Sequence, residues 1–421
     1  MLQQTEVDLS EIEGMLVEMW EGVLKLEGIE KHEDFFELGG DSIAAVRFTN
    51  MLQERLGEVV QVTVLYEKPT VARLAEYLAE SYHEAVAALF GRQPARADGP
   101  DAPALTEDDV RYVGEKYAAL YRFPADGREG EGREARKNPP AVFVLCTPRS
   151  GSTLLRVMLA GHRDLFAPPE LLLLPFRTLG QRRERFFGDR SVWSEGIIRA
   201  LMEMRGCDGA RAKEILAECE SRDMSVREFY GLMQAGLGGR MLVDKSPSYS
   251  RSADVMRNAE EYFDGALYIH LIRHPGAMVN SYERQRLDQL SLSENFGYSP
   301  RQLAELIWIV SHRNMNAFLS EVPEERRCRV YFEELVREPR GVMEQVCARL
   351  GLEFDEEVLT PHRNQRAKMT DGPHPLSRML GDAKFHTFKS IEPGVADSWR
   401  QAERPITLSD MALRMAEEFG Y

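Results

Sequence analysis

Apolar positions recur at helical spacing over residues 8–24 (DLSEIEGMLVEMWEGVL), where Ile12, Met15, Leu16, Met19, Trp20 and Leu24 share one face. A loop follows (KHEDFFELGGD), and a second helix is predicted from near Ser42 through IAAVRFTNMLQERLG. VQVTVLYEKPT reads as a short extended or one-turn segment, and residues 71–90 (VARLAEYLAESYHEAVAALF) as a last amphipathic helix. These elements predict a small all-α bundle over residues 1–90.

The pattern then changes. Residues 91–104 (GRQPARADGPDAPA) are linker-like, and residues 122–140 (RFPADGREGEGREARKNPP) read as loop. Between them LTEDDVRYVGEKYAALY predicts one helix, with a threonine and acids at its start. Residues 91–140 are therefore a linker with one helix. From residue 141 four short runs are nearly all apolar: AVFVLC (141–146), RMLVDK (240–245), ALYIHLI (266–272) and CRVYFEEL (328–335). Strands of that kind belong in a parallel sheet covered on both faces. Long helical stretches separate them, notably 193–236. Residues 141–421 are thus expected to form an α/β domain with a P-loop-like parallel sheet and a helical insertion.

Charge sharpens this division. Residues 1–90 hold 18 acidic and 6 basic side chains, a net of −12, which leaves 50 acidic and 47 basic in the other 331. A strongly acidic module precedes a nearly balanced one, and acidic patches seek basic partners. The overall charge of −15 argues against nucleic acid as a partner. No apolar run reaches the roughly 18 residues of a membrane span, and no signal-peptide pattern opens the chain. Five scattered cysteines without C-x-x-C spacing suit a reducing, cytoplasmic setting. No metal site and no membrane partner are expected.

Within the acidic module, LGGDSIAAV (38–46) places Ser42 at a loop-to-helix junction beside two glycines. Read alone, D-S is an ordinary helix cap. With FFEL before it, LQERLG after it and KPT before the final helix, the frame resembles acyl and peptidyl carrier proteins. That resemblance implies a 4′-phosphopantetheine arm on Ser42, loaded by a phosphopantetheinyl transferase.

In the α/β part, CTPRSGSTLLRVML (146–159) joins an apolar strand to an apolar-periodic helix through a small-residue turn. Such a turn opens backbone N–H groups to an anion, and Arg149 adds a permanent forked cation. The lysine of a nucleotide-hydrolysing G-K-[ST] loop is absent. No G-x-S-x-G nucleophile elbow occurs, so no hydrolase is expected here. LYIHLIRHPGAMVNSY (267–282) places Arg273 at a strand end and Ser281 two turns into the next helix. Together with VDKSPSYS (243–250), VYFEELVREP (330–339) and ADSWRQ (396–401), these motifs resemble PAPS-dependent sulfotransferases over about residues 141–415. The resemblance implies that Arg149, Ser150, Gly151, Ser152 and Thr153 hold the 5′-phosphosulfate of 3′-phosphoadenosine 5′-phosphosulfate (PAPS). It assigns the 3′-phosphate to Arg273 and Ser281.

Sulfonyl transfer needs an activated hydroxyl and cations at the departing phosphate. Glu170, in FAPPELLLLPF, and His312, in LIWIVSHRNMNAFL, are alternative bases. Lys245 is the expected sulfate cation. Arg251, at the end of KSPSYSR, either joins it or makes a structural ion pair. His270, on a buried strand, is expected to be structural. His386 is a candidate contact to the 3′-phosphate or adenine. Phe186, Phe187, Trp193, Ile197, Ile198, Leu201 and Met202 are either the wall of an acyl pocket or core.

A carrier joined to a sulfotransferase resembles the pair found in curacin-type and olefin-forming polyketide synthases. The resemblance implies sulfonation of the β-hydroxyl of a carrier-tethered 3-hydroxyacyl chain. A downstream thioesterase would then release a terminal alkene by decarboxylative elimination, with polyketide synthase modules upstream. The chain itself reads as a piece of such a megasynthase. An O-sulfotransferase making a stable sulfate ester, and a non-catalytic carrier-binding module, remain as alternatives.

Overall fold

The computed structural model describes residues 8–92, 104–120, 136–186, 193–287, 297–373, 383–401 and 406–421. The chain forms two units. The first holds Met1–Ala104 with Gly188–Arg190 and Glu283–Pro300; the second holds Leu105–Phe187, Ser191–Tyr282 and Arg301–Tyr421.

The first unit is the expected helical bundle: α1 (Leu9–Leu24), α2 (Ser42–Leu56), α3 (Thr63–Glu67), α4 (Val71–Ser81) and α5 (His83–Leu89). Asp8 caps α1 with Glu11 reaching back, a capping box that satisfies two orphan N–H groups. Of the apolar face foreseen on α1, Ile12, Met15, Leu16, Met19 and Trp20 are buried, whereas Leu24 is partly buried and Val23 takes the buried position beside it; Trp20 meets Phe35 edge-on at 4.9 Å. VQVTVLYEKPT forms the short helix α3. The predicted single helix over 71–90 is broken at Tyr82, whose φ of −129° leaves the helical region. Its ring is buried and its hydroxyl donates to the Val59 carbonyl at 2.9 Å. That tertiary contact overrides the local helical preference.

The second unit begins with α6 (Glu107–Leu120), the helix expected between the loops, where Thr106 and Asp109 exchange hydrogen bonds at the N-terminus. Five parallel strands follow: β1 (Val142–Cys146), β2 (Leu165–Phe166), β3 (Met241–Asp244), β4 (Leu267–Ile272) and β5 (Arg327–Tyr331), in the order β2-β3-β1-β4-β5. The two-residue β2 was not foreseen, because two apolar residues carry no period. CRVYFEEL splits: the strand stops at Tyr331, and Phe332–Arg337 is a helix. The insertion over 193–236 contains three helices, Glu195–Arg205, Gly209–Ser221 and Val226–Ala235.

Every residue of β1 is buried, as expected of a central strand with both faces covered. After β1 the chain runs toward β2 on one side, and after β4 toward β5 on the other. The strand order therefore reverses between β1 and β4. A crevice opens at the carboxyl ends of strands at such a point. No helix among the described residues is long and apolar enough to cross a membrane.

The Leu16 side chain is fully buried in the core of the first unit. Leu16→Ala should cost about 2–5 kcal/mol, transfer plus cavity. A lowered urea midpoint by far-UV circular dichroism checks this.

Candidate functional site

The loop after β1 turns through two left-handed residues, Arg149 at φ 61° and Gly151 at φ 80°. Gly151 then caps α7 (Ser152–Ala160). A Cβ on Gly151 would lie 2.1 Å from the Phe332 ring, so only glycine fits. The Thr147 and Ser150 hydroxyls pair inside the turn. The first N–H groups of α7 have no intrahelical acceptor, as at any helix N-terminus, an arrangement that favours an anion.

Two arginines meet this loop. Arg273, one residue beyond β4, donates from Nη1 to the Arg149 carbonyl at 2.8 Å and lies 4.3 Å over the Phe332 ring. Arg149 donates from Nε to Ser281 Oγ at 3.0 Å. Ser281 stands on the helix Pro275–Arg284, so the R…S spacing read in the sequence brings all three residues together. The Trp308 indole donates to the Arg273 carbonyl at 3.1 Å and fixes that strand end.

Beside β1, the residue after β3 supplies a third cation. Lys245 Nζ donates to Glu170 Oε1 at 2.6 Å, with side chains 4% and 28% exposed. Both charges act on the Cys146 thiol, which also meets Ser152 and which burial pushes up to about 12. The ion pair and the start of α7 thus share one neighbourhood.

A buried carboxylate precedes Lys245 in the chain. Asp244 is 1% exposed and accepts from Tyr230 (2.6 Å), Tyr249 (2.9 Å) and Ser246 (3.0 Å). Burial pushes its carboxyl up to about 6, and the three hydroxyl donors pull the other way. Its two oxygens are the acceptors in all three bonds.

A small-residue anion loop, converging arginines and a lysine–carboxylate pair at a sheet's switch point suit transfer of an anionic group. Residues 140–356 match the sulfotransferase family. The chain belongs to that family. Residues 16–78, which include Ser42, match the phosphopantetheine attachment site. The sulfotransferase domain from the Synechococcus PCC 7002 olefin synthase is 39% identical, with a TM-score of 0.62 over 69% of this chain and 98% of that one. The sulfotransferase domain from the curacin biosynthetic pathway is 36% identical, with a TM-score of 0.63 over 68% and 99%. Tyrocidine synthase 3 of Brevibacillus parabrevis is 40% identical over 72 residues, 17% of this chain. The chain spans only about 1% of that synthase.

Other candidates of this sulfotransferase lie elsewhere. His312 is fully buried on the helix Pro300–Ser320; its Nδ1 shares a hydrogen bond with His270 Nε2 at 3.1 Å, between Trp308 and Phe419. Burial holds both rings neutral, with His270 lowered to about 3 and His312 well below its usual value. His270, expected to be structural, is buried on β4 in this pair. Arg251 lies 4.6 Å over the Tyr117 ring of α6. His386 stands beside Phe385, which stacks on His362. Ile197 and Leu201 are fully buried, and Ile198 and Met202 nearly so. Phe186 packs edge-on against Phe176, and Trp193 gives its carbonyl to Arg182. Phe187 lies outside the described residues. Ser42 is the first residue of α2; Asp41 Oδ1 accepts from the Ala44 N–H, and Gly40 packs on Phe35, whose ring a Cβ would meet at 2.4 Å.

Sequence reasoning missed Phe332, Trp399 and the Asp244 cluster. The signals were present in VYFEEL, ADSWRQ and VDKSPSYS, but apolar spacing does not say what a ring covers. Trp399 stacks on His274 at 4.3 Å and closes over Gly276.

Gly151→Ala and Gly206→Ala both place a side chain at positive φ, but Gly206 faces open space. Gly206→Ala should show backbone strain alone. Gly151→Ala should lose a further 1–3 kcal/mol or so from the Phe332 clash, visible as a larger drop in Tm.

The histidine pair sets an acid limit. Below its ordinary value of 6.5 the unfolded chain protonates His270, whereas folded His270 stays neutral until about 3, and burial lowers His312 in the same direction. The unfolded state then binds more protons, so stability falls as pH drops through that window. His270→Leu/His312→Leu should lose less urea midpoint between pH 7 and pH 5 than the unmodified protein.

Proposed function

We propose that this sulfotransferase moves a sulfonate group from PAPS to the β-hydroxyl of a 3-hydroxyacyl chain tethered to a carrier phosphopantetheine, with Ser42 as the attachment residue. The observation that carries the reading is the Lys245–Glu170 pair, a cation and a proton acceptor 2.6 Å apart beside the phosphate loop.

The residues present fit the donor. The bare Cα of Gly151 lets backbone approach where a Cβ would meet Phe332. Arg149 with Ser150, Gly151, Ser152 and Thr153 would hold the phosphosulfate end, and Arg273 with Ser281 the 3′-phosphate. PAPS supplies an activated sulfonate whose leaving group is a phosphate. Glu170 takes the hydroxyl proton as the new O–S bond forms. The bridging S–O bond breaks, its electron pair passes to the departing phosphate, and Lys245 stabilises that charge. Glu170 is favoured over His312 as the base because its side chain is 28% exposed, while His312 is fully buried. A base must come within hydrogen-bond reach of the proton it takes.

The likeness to domains from an olefin synthase and the curacin pathway supports the further course of the reaction. The sulfate ester then serves as a leaving group for a thioesterase that hydrolyses the thioester, with decarboxylation and sulfate loss to a terminal alkene. Polyketide synthase modules supply the acyl chain, and a phosphopantetheinyl transferase installs the arm.

Intact-mass spectrometry of the protein loaded at Ser42 with a 3-hydroxyacyl-phosphopantetheine tests this. PAPS should add one sulfonate to the acyl arm, and Glu170→Gln should slow the gain by about 10²–10⁴-fold with PAP affinity retained. Bound PAP without any gain would overturn the reading.

A further inference from the structure

Glu170 begins a stretch whose backbone is held from both sides. Leu172 sits at φ 52°, a conformation that a leucine adopts only under constraint. Its N–H donates to Ser246 Oγ at 3.2 Å, and the Leu173 N–H donates to the Tyr249 hydroxyl at 2.8 Å. From the other side Arg182, fully buried, donates to the Leu171 and Leu172 carbonyls at 3.3 and 3.2 Å. Gly196 lies so close that a Cβ there would come within 2.0 Å of the Glu170 carbonyl oxygen.

The two hydroxyls that accept from Leu172 and Leu173 are the same two that donate to Asp244. A hydroxyl has one proton and two lone pairs. Ser246 and Tyr249 commit their protons to the Asp244 carboxylate, at 3.0 and 2.9 Å. Their lone pairs are thereby turned toward the Leu172 and Leu173 N–H groups. Lys245, the partner of Glu170, follows Asp244 directly in the chain. Both halves of the ion pair are therefore referred to one buried carboxylate, one through the chain and the other through two hydroxyl relays.

We propose that Asp244 is a positioning residue for the Glu170–Lys245 pair, acting through the Ser246 and Tyr249 hydroxyls to fix the backbone that carries Glu170. The proposal rests on the reading of Glu170 as the base. Tyr230 provides an internal contrast. Its hydroxyl also donates to Asp244, at 2.6 Å, yet it stands on the helix Val226–Ala235 and takes no N–H from the 170–174 stretch.

Tyr249→Phe and Tyr230→Phe each delete one hydroxyl donor to Asp244, and a merely structural cluster predicts a loss of Tm in each with kcat alike in the two proteins. Positioning predicts a split. Tyr249→Phe should lower kcat for sulfonation of the carrier-bound acyl arm by about 10²-fold, the loss expected from an ångström-scale misplacement. KM for PAPS and PAP affinity by calorimetry should be unchanged. Tyr230→Phe should lose less Tm than Tyr249→Phe, because it orphans no N–H of the 170–174 stretch, and should keep kcat near that of the unmodified protein. Ser246→Ala, which breaks the parallel relay to Leu172, should also lower kcat, and it carries the test if Tyr249→Phe fails to fold. Equal kcat in the Tyr249→Phe and Tyr230→Phe proteins, or unchanged kcat in Ser246→Ala, overturns the positioning role. Glu170→Gln separates the two levels. If it keeps full turnover, the assignment of the base is wrong. If it is inactive while Tyr249→Phe turns over normally, only the relay is wrong.

Discussion

Three cations follow neighbouring strands at the carboxyl edge of the sheet, and like charges resist being gathered there. Arg149 and Arg273 follow β1 and β4, the strands between which the order reverses, and Lys245 follows β3 on the other side of β1. Each is tethered by a neutral dipole, an aromatic face or an acid. Arg149 reaches a serine hydroxyl, Arg273 a carbonyl and the Phe332 ring, Lys245 a carboxylate. Field lines from cations in a low-dielectric cleft concentrate on whatever anion enters it. Such an arrangement is preorganised for an anionic group.

The groups behind this edge are buried and hydrogen-bonded. Charge placed to bind an anion works only if it does not relax, and buried polar groups with their partners in place oppose relaxation. Asp244 has three donors, and Arg182 gathers carbonyls from Leu171, Leu172 and Trp193. Such networks are stabilising only when fully satisfied. Phe332 contributes by shape alone, filling the space beside Gly151 and lying under Arg273.

Much of this was legible in the sequence because it is local. TPRSGST is a strand-to-helix turn, RHP…S fixes Arg273 and Ser281 by helical spacing, and LGGDS announces a helix start. The bundle, the parallel strands and the helix over 107–120 follow from periodicity. What stayed hidden depends on contacts distant in sequence. Tyr82 breaks a helix because Val59, 23 residues earlier, accepts its proton. Phe332 leaves strand geometry to cover a glycine 181 positions away in the chain. Tyr230 and Tyr249 look like ordinary aromatic core positions until Asp244 is seen between them. His312 looked like a candidate base on an apolar helix, and its partner His270 lies 42 residues away. Periodicity reports which face is buried, not which polar atom waits there.

The acidic first unit adds a second economy. A substrate arm on Ser42 would meet the sulfotransferase site at an effective concentration set by the linker, so the site needs little affinity of its own for the acyl chain. Recognition can then be concentrated on the anionic donor and on the single hydroxyl that reacts. Cations and hydroxyls committed to Asp244 stand at the sheet edge, whereas Ile197 and Leu201 of the insertion are packed as core. On the proposed reading the tether would supply proximity, the sheet edge charge, and the backbone that carries Glu170 aim.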